Sequence, residues 1–282
     1  MTTGWTPADL LNFFSSDAGL RTSDTLPYGP EPRQTLDAYQ PRGGERMPVV
    51  VFFYGGSWQS GSKAAYRFVG HALARRGYIT IIPDYRVYPD VRFPDFLRDG
   101  AAAVAWAWAN AARFGGDADL LFLAGHSAGA YIAAMLALDD QWLSAKGLQP
   151  RADLAGFVGL AGPYDFLPIR DATLKTIFGG PNRAQTQPTN FVRGGEAPVL
   201  LLTGVRDHAV SPRNSARLAQ ELVAAGSKAR VISYRRVRHL TIIGAFAPPL
   251  RFLAPVLDDV DAFIRDVAAA RAHVRLARCE AS

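Results

Sequence analysis

The chain predicts an α/β fold, with a mostly parallel central sheet carrying helices on both faces. Three observations predict it. Short apolar, β-branched runs alternate with Ala-rich or amphipathic runs from Pro48 to the last helix. The first two helical runs close on glycine, at Gly77 and Gly116. Apolar residues make up 49% of the 282, enough for a large core without disulfides or metals. Apolar strands separated by helices belong in a parallel sheet covered on both sides.

Each element follows from its pattern. The first part, to about Gln40, holds a helical start and then "RQTLDAYQP", an expected edge strand. "PVVVFFYGG" (48–56) reads as a buried strand, "AAYRFVGHALARRG" (64–77) as a helix and "YITIIPDY" (78–85) as a strand. "FPDFLRDGAAAVAWAWANAARFGG" (93–116) is a long helix, "DLLFLAG" (119–125) a strand and "AGAYIAAMLALDD" (128–140) a helix. Strands follow at 154–161 and 198–204, a helix near 211–225, a strand at 229–234 and a last helix near 254–271. The stretch 163–198 breaks this rhythm, being long, polar and rich in Pro and Gly. It is expected to pass over the top of the sheet as a lid or pocket wall inside a single domain of residues 1–282.

Charge and cysteine content narrow the function classes. The formal charge is +6, but the basic residues are mostly scattered singly. The densest cluster is "YRRVRH" (234–239), with a second basic face at 265–278. A solvated basic surface explains both better than a nucleic-acid site. The one cysteine, Cys279, excludes an internal disulfide and a Cys-based metal centre. It suits a reducing, cytoplasmic setting. The N-terminus shows no leader pattern, and no apolar run approaches the ~18 residues of a membrane span. Monomer and homodimer are both compatible with the sequence.

The motif that carries chemistry is "LAGHSAGAY" (123–131), in which Gly125-His126-Ser127-Ala128-Gly129 forms G-x-S-x-G between a strand and a helix. A serine at so sharp a turn needs glycines where the backbone is crowded. The helix that follows aims its free N–H groups back at the serine. Serine also needs a base. Of five histidines, His71 and His273 sit on helices as packing or surface residues, and the turn is expected to point His126 away from the serine, leaving it a candidate pocket residue with Gly55, Trp58 and His208. His239 follows the last strand, in "RRVRHLTIIGAF", where an open parallel sheet gathers its reacting groups. The acid that orients the base is expected at Asp207, in "VLLLTGVRDHAVSP", ahead of the rival Asp165 in "GPYDF". His208, beside the acid, is a loop residue or a pocket residue.

Together with "YGGSW" (54–58), "PDYRVYPDVRFPDFLRD" (83–99) and "GLAGPYDFLP" (159–168), these motifs make the chain resemble the α/β-hydrolase superfamily. Within it, the chain is similar to the esterases that share an H-G-G-x-W loop. These are the hormone-sensitive-lipase-like carboxylesterases, the kynurenine formamidases and the feruloyl- and acetyl-esterase-like enzymes. The resemblance runs from about Pro48 to the last helix. It implies cleavage of carboxylic esters, of short acyl chains or aryl alcohols, through an acyl-enzyme on Ser127, with no metal or organic cofactor. The alternatives are formamidase or amidase action on a substrate such as N-formylkynurenine, and a non-catalytic binding protein of the same fold. The resemblance also implies an oxyanion hole from the N–H groups of Gly56, Ser57 and Ala128. A side chain at Gly55 or Gly56 is expected to block the substrate oxygen. The chain departs from the family at Tyr54, where histidine is usual; a phenol can brace the loop as that histidine does. Trp58 is either a pocket wall or core. Tyr85 is expected to buttress the loop, and Asp84 and Arg86 to pair with neighbours.

Overall fold

A computed structural model describes residues 6–280, with side chains as far as Arg275. Residues 1–5, where the leader expectation begins, and the Cys279 side chain lie outside the described residues. A capped helix α1 (Pro7–Phe13) leads into β1 (Leu20–Pro27), β2 (Thr35–Pro41) and β3 (Met47–Phe53). There follow α2 (Arg67–Ala74), β4 (Ile79–Pro83), α3 (Asp95–Asn110), β5 (Gly116–His126) and α4 (Ala128–Leu138). Two single turns, α5 (Gln141–Ser144) and α6 (Pro150–Asp153), precede β6 (Leu154–Leu160). The chain closes with α7 (Ala172–Phe178), β7 (Val199–Gly204), α8 (Arg213–Ala224), β8 (Ala229–Tyr234), α9 (His239–Gly244) and α10 (Val256–Glu280).

The eight strands form one sheet in the order β1-β2-β4-β3-β5-β6-β7-β8. Only the β1–β2 and β2–β4 pairs are antiparallel. The parallel strands β3 to β8 therefore bring their carboxyl ends to one edge, and Phe53 pairs with Gly125, which pairs with Gly159. β4, β6 and β7 are buried along their whole length, so their sequences read as unbroken apolar runs. Burying about 25 cal/mol per Å² of apolar surface drives this assembly. The end of α2 is tied to α10 by Arg76, which pairs with Asp258 and, at 3.1 Å, with Asp261. None of the described helices is long and apolar enough to cross a membrane.

Four expectations are corrected. "RQTLDAYQP" is β2 and lies inside the sheet; the edge is β1, a strand with one buried residue that reads as loop because its outer positions are polar. The run expected to be helix from Ala64 starts as a 3₁₀ turn, Lys63–Tyr66, before turning α-helical at Arg67. The long helix expected to reach Gly116 ends at Asn110, and a 3₁₀ turn closed by left-handed Gly115 follows. The last helix continues nine residues past Arg271 to Glu280, since no glycine or proline stands there to stop it.

The stretch 163–198 carries α7 and two 3₁₀ turns. It is held to the body at several points. Tyr131 Oη donates to the Thr186 carbonyl at 2.8 Å, and Phe93 N–H donates to that of Ile177 at 3.0 Å. Asn214 Oδ1 accepts from the N–H groups of Tyr164 and Asp165, both at 2.8 Å.

Candidate active site

Ser127 follows β5 directly and caps α4 with φ 55° and ψ −122°, a sparsely populated conformation for a residue with a side chain. Such strain costs on the order of 1–3 kcal/mol and persists only where the surroundings hold it. Here they do. Ser127 N–H donates to the Leu160 carbonyl of β6 at 2.9 Å, and Tyr131 N–H donates back to the Ser127 carbonyl at 3.1 Å. The two glycines of the motif permit the turn by contact. A Cβ at Gly125 would lie 2.4 Å from the Gly129 backbone, and one at Gly129 would lie 2.1 Å from the Phe53 carbonyl oxygen. Strand, helix and the end of β3 therefore meet with no room for a methyl group.

Ser127 Oγ is 2.9 Å from His239 Nε2, and His239 Nδ1 is 2.8 Å from Asp207 Oδ2. A carboxylate only accepts, so Nδ1 carries the imidazole proton and Nε2 is left to accept from the serine hydroxyl. Asp207 Oδ1 accepts from the N–H groups of Ala209 and Val210, both at 2.9 Å. One oxygen thus fixes the carboxylate while the other faces the ring. The loops bearing Asp207 and His239 approach closely at Gly204, where a Cβ would fall 2.4 Å from the Val237 carbonyl. His239 is the first residue of α9 rather than a loop residue, and Arg238 N–H donates to Thr241 Oγ1 at 2.7 Å to cap that turn. Asp165 lies elsewhere, 3.7 Å from Arg217. His71 packs edge-on to Tyr39, and exposed His273 contacts the Ala269 carbonyl.

The glycine loop after β3 does two jobs. Gly56 has φ +143°, and its carbonyl accepts from Gln59 and Ser60 N–H at 3.0 and 3.1 Å. A Cβ there would meet the Ser60 carbonyl at 2.1 Å, so the turn itself demands glycine. Gly55 is different: a Cβ would lie 3.0 Å from both Ser127 Cβ and His126 Nδ1, so this residue keeps the loop against the elbow. Among the described residues no protein acceptor takes the N–H of Gly56, Ser57 or Ala128. Ala128 is the first residue of α4, where N–H groups have no intrahelical partner. Ser57 and Trp58 both adopt left-handed backbone, φ 53° and 57°.

Tyr54 is fully buried behind this loop. Its hydroxyl donates to Asp84 Oδ1 at 2.9 Å and accepts from Arg33 Nη2 at 2.8 Å. Its ring stacks on Tyr85 at 4.6 Å, and Tyr85 Oη donates to the Tyr54 carbonyl at 2.7 Å. Burial first, then the Asp84 charge, pushes the Tyr54 hydroxyl far above its ordinary range, so it stays protonated. Arg33 also donates to the Gly61 and Tyr85 carbonyls. Arg86 is paired with Asp99, its Nη2 2.7 Å from Oδ1. Trp58 is 3% exposed and packs edge-on to Tyr131 and Phe178, with Phe166 stacked on it. His208 is exposed on the acid loop.

His126 departs from expectation. The turn does not send it away; its ring is buried with its centroid 5.0 Å from that of His239. Tyr66, 3.1 Å from His126 Nδ1, and Arg33 were not flagged by the sequence, and no local pattern marks either. Tyr66 stands 60 residues from its partner, on a 3₁₀ turn whose sequence resembles any helix start.

Residues 36–222 match the BD-FAE family, a span that holds Ser127 and Asp207 and ends before His239. The isoprenylcysteine alpha-carbonyl methylesterase of Arabidopsis thaliana is 29% identical over 249 residues, covering 80% of this chain and 58% of its own length. Esterase LipC of Mycobacterium tuberculosis is 32% identical over 224 residues, 72% of this chain and 55% of its own. The chain thus spans a little over half the length of these curated relatives. The solved structure of esterase B from Lactobacillus rhamnosis has the same α/β-hydrolase fold, with a TM-score of 0.78 at 19% identity over 92% of this chain and 90% of that one. Since the family match runs from β2 to α8 and takes in about two thirds of the sequence, the chain belongs to the BD-FAE family.

Proposed function

We propose that the protein is a serine hydrolase of small carboxylic esters, acting through an acyl-enzyme on Ser127. One observation carries this reading: Ser127, His239 and Asp207 form a continuous hydrogen-bonded series at 2.9 and 2.8 Å, beside N–H groups that no acceptor among the described residues occupies. His239 takes the Ser127 proton as Oγ attacks the ester carbonyl, and Asp207 stabilises the imidazolium. The N–H groups of Gly56, Ser57 and Ala128 hold the developing oxyanion, each donor contributing about 3 kcal/mol. His239 then protonates the departing alkoxide. Water repeats the sequence on the acyl-enzyme to release the acid. The chemistry needs no metal or organic cofactor. The relatives' names, a methylesterase and an esterase, support an ester over a formamide.

In this reading the 163–198 segment is a wall of the single domain, since Phe166 and Phe178 pack on Trp58 and its backbone is bonded to Tyr131 of α4 and to Phe93 just ahead of α3. One cysteine in 282 residues supports a reducing, cytoplasmic place of action. The test is turnover of p-nitrophenyl acetate and butyrate beside N-formylkynurenine. Ser127→Ala is expected to lower ester turnover by roughly 10⁴-fold or more while keeping the fold by circular dichroism. Ester turnover at the unsubstituted rate in that variant rejects the acyl-enzyme.

A further inference from the structure

A second hydrogen-bonded series runs behind the serine elbow, and the acyl-transfer steps do not use it. His126 Nε2 lies 2.9 Å from the carbonyl oxygen of His239. A carbonyl only accepts, so Nε2 carries the proton and Nδ1 is the bare acceptor of a neutral ring. Tyr66 Oη, 3.1 Å from that Nδ1, therefore donates to it. The same oxygen accepts from Gly55 N–H at 3.2 Å. Every direction is fixed: Gly55 N–H to Tyr66, Tyr66 O–H to His126 Nδ1, His126 Nε2–H to the His239 carbonyl. One end of the series is the loop carrying the Gly56 N–H. The other is the backbone of the base.

Charge suits the arrangement. Burial first, then the neighbouring His239 charge, lowers the His126 pKa to about 3, opposed by the hydrogen bond to the His239 backbone and by the Asp207 charge. The ring stays neutral when His239 becomes an imidazolium 5.0 Å away, where a second cation would repel it. Geometry leaves little slack, because a Cβ at Gly55 would touch His126 Nδ1 and Ser127 Cβ together.

Resting on the acyl-enzyme reading, we propose that His126 is a positioning residue that, through Tyr66, fixes the distance between the base and the oxyanion loop. It touches no reacting atom. Its work is to keep two halves of the site, brought from β3 and from α9, in one geometry. A misplacement of about 1 Å between such groups costs roughly 100-fold in rate.

The experiment is steady-state kinetics on p-nitrophenyl acetate with thermal melts of each variant. His126→Phe keeps the ring's bulk and removes both polar atoms; His126→Gln restores a donor at the reach of Nε2. Expected are a 10- to 100-fold fall in kcat at nearly unchanged KM for His126→Phe, at least a several-fold recovery for His126→Gln, and a several-fold fall for Tyr66→Phe. Tyr66→Phe added to His126→Phe should cost nothing more, because the series is already broken. A purely structural role would instead lower Tm and leave kcat of the folded protein intact. Equal kcat for His126→Gln and His126→Phe, or independent losses in the double variant, overturns the proposal. Should His126→Phe not fold, Tyr66→Phe decides alone, and unchanged kcat there overturns it. Ser127→Ala run alongside separates the two ideas. Turnover surviving in Ser127→Ala overturns the acyl-enzyme and this proposal with it. Turnover lost there, with the His126 and Tyr66 variants at full kcat, overturns the positioning role alone.

Discussion

The phenol of Tyr54 shows how one atom can hold a loop. Its hydroxyl joins Arg33 to Asp84, and Asp84 Oδ1 also accepts from Lys63 N–H at 2.7 Å, so both ends of the glycine loop are tied to one point. Tyr54→Phe removes the joint and leaves Arg33 and Asp84 half-buried with one bond fewer. Chemical denaturation should show a loss of about 1–3 kcal/mol. The buried ring reaches no substrate, so the ratio of acetate to butyrate turnover should not move. A Tyr54→His variant is expected to behave likewise, and a change in its substrate preference would reject bracing as the whole role. His126 makes a second residue-scale prediction. Its pKa is about 3 in the fold against 6.5 for a free side chain. Below pH 6.5 the unfolded chain binds the extra proton and the folded one does not, so this group's contribution falls as pH drops from 6.5 towards 3. The slope is about 1.4 kcal/mol per pH unit at most. Melts of the unsubstituted protein and His126→Gln between pH 7 and 4 should differ in slope by that order. Parallel slopes would show that His126 takes up a proton in the folded state.

At the scale of elements, the elbow depends on two missing methyl groups. Gly129→Ala drives a Cβ into the backbone carbonyl of Phe53, which β3 cannot withdraw without losing its pairing with β5. Urea unfolding should register a loss of about 3 kcal/mol or more, with activity lost in parallel. An active, stable Gly129→Ala protein would mean that α4 can slide off β3. This packing was legible in the sequence, because G-x-S-x-G states its own steric demand and its flanks give strand and helix away by composition. Asp207 and His239 were legible from chain order and from their places after apolar runs. β1 was not, because an exposed edge strand of polar residues carries no apolar period. Nor was α9, whose six residues are too few to show a helical repeat. The contacts of His126 escaped for another reason: its partners are 60 and 113 residues away, and no local pattern encodes a meeting at that range.

At the scale of the whole molecule, the sheet has a chemical end and a structural end. The Ser127, Asp207 and His239 groups gather at the carboxyl ends of β5, β7 and after β8. At the amino ends a groove of about 1500 Å³ opens beneath α10, lined by Phe263, Val267 and Arg271 among others; neither the serine, the acid nor the base lines it. Arg271 spans this end, donating to the Asp119 carbonyl at 2.8 Å and to that of Leu154. Arg275, 3.2 Å from Asp119, shares the duty, so part of the basic face of α10 is spent within the chain. Arg271→Ala should lower stability by about 1–2 kcal/mol and leave kcat unchanged, measured by urea titration beside ester turnover. A fall in kcat would couple the two ends. The order in which the site is written along the chain has one more consequence. Serine and base are 112 residues apart, and the base comes last. During synthesis the elbow and the glycine loop leave the ribosome well before His239, which bonds Ser127 in the fold. On the proposed acyl-enzyme reading, the nascent chain has no base for Ser127 until the last strand of its sheet has been made.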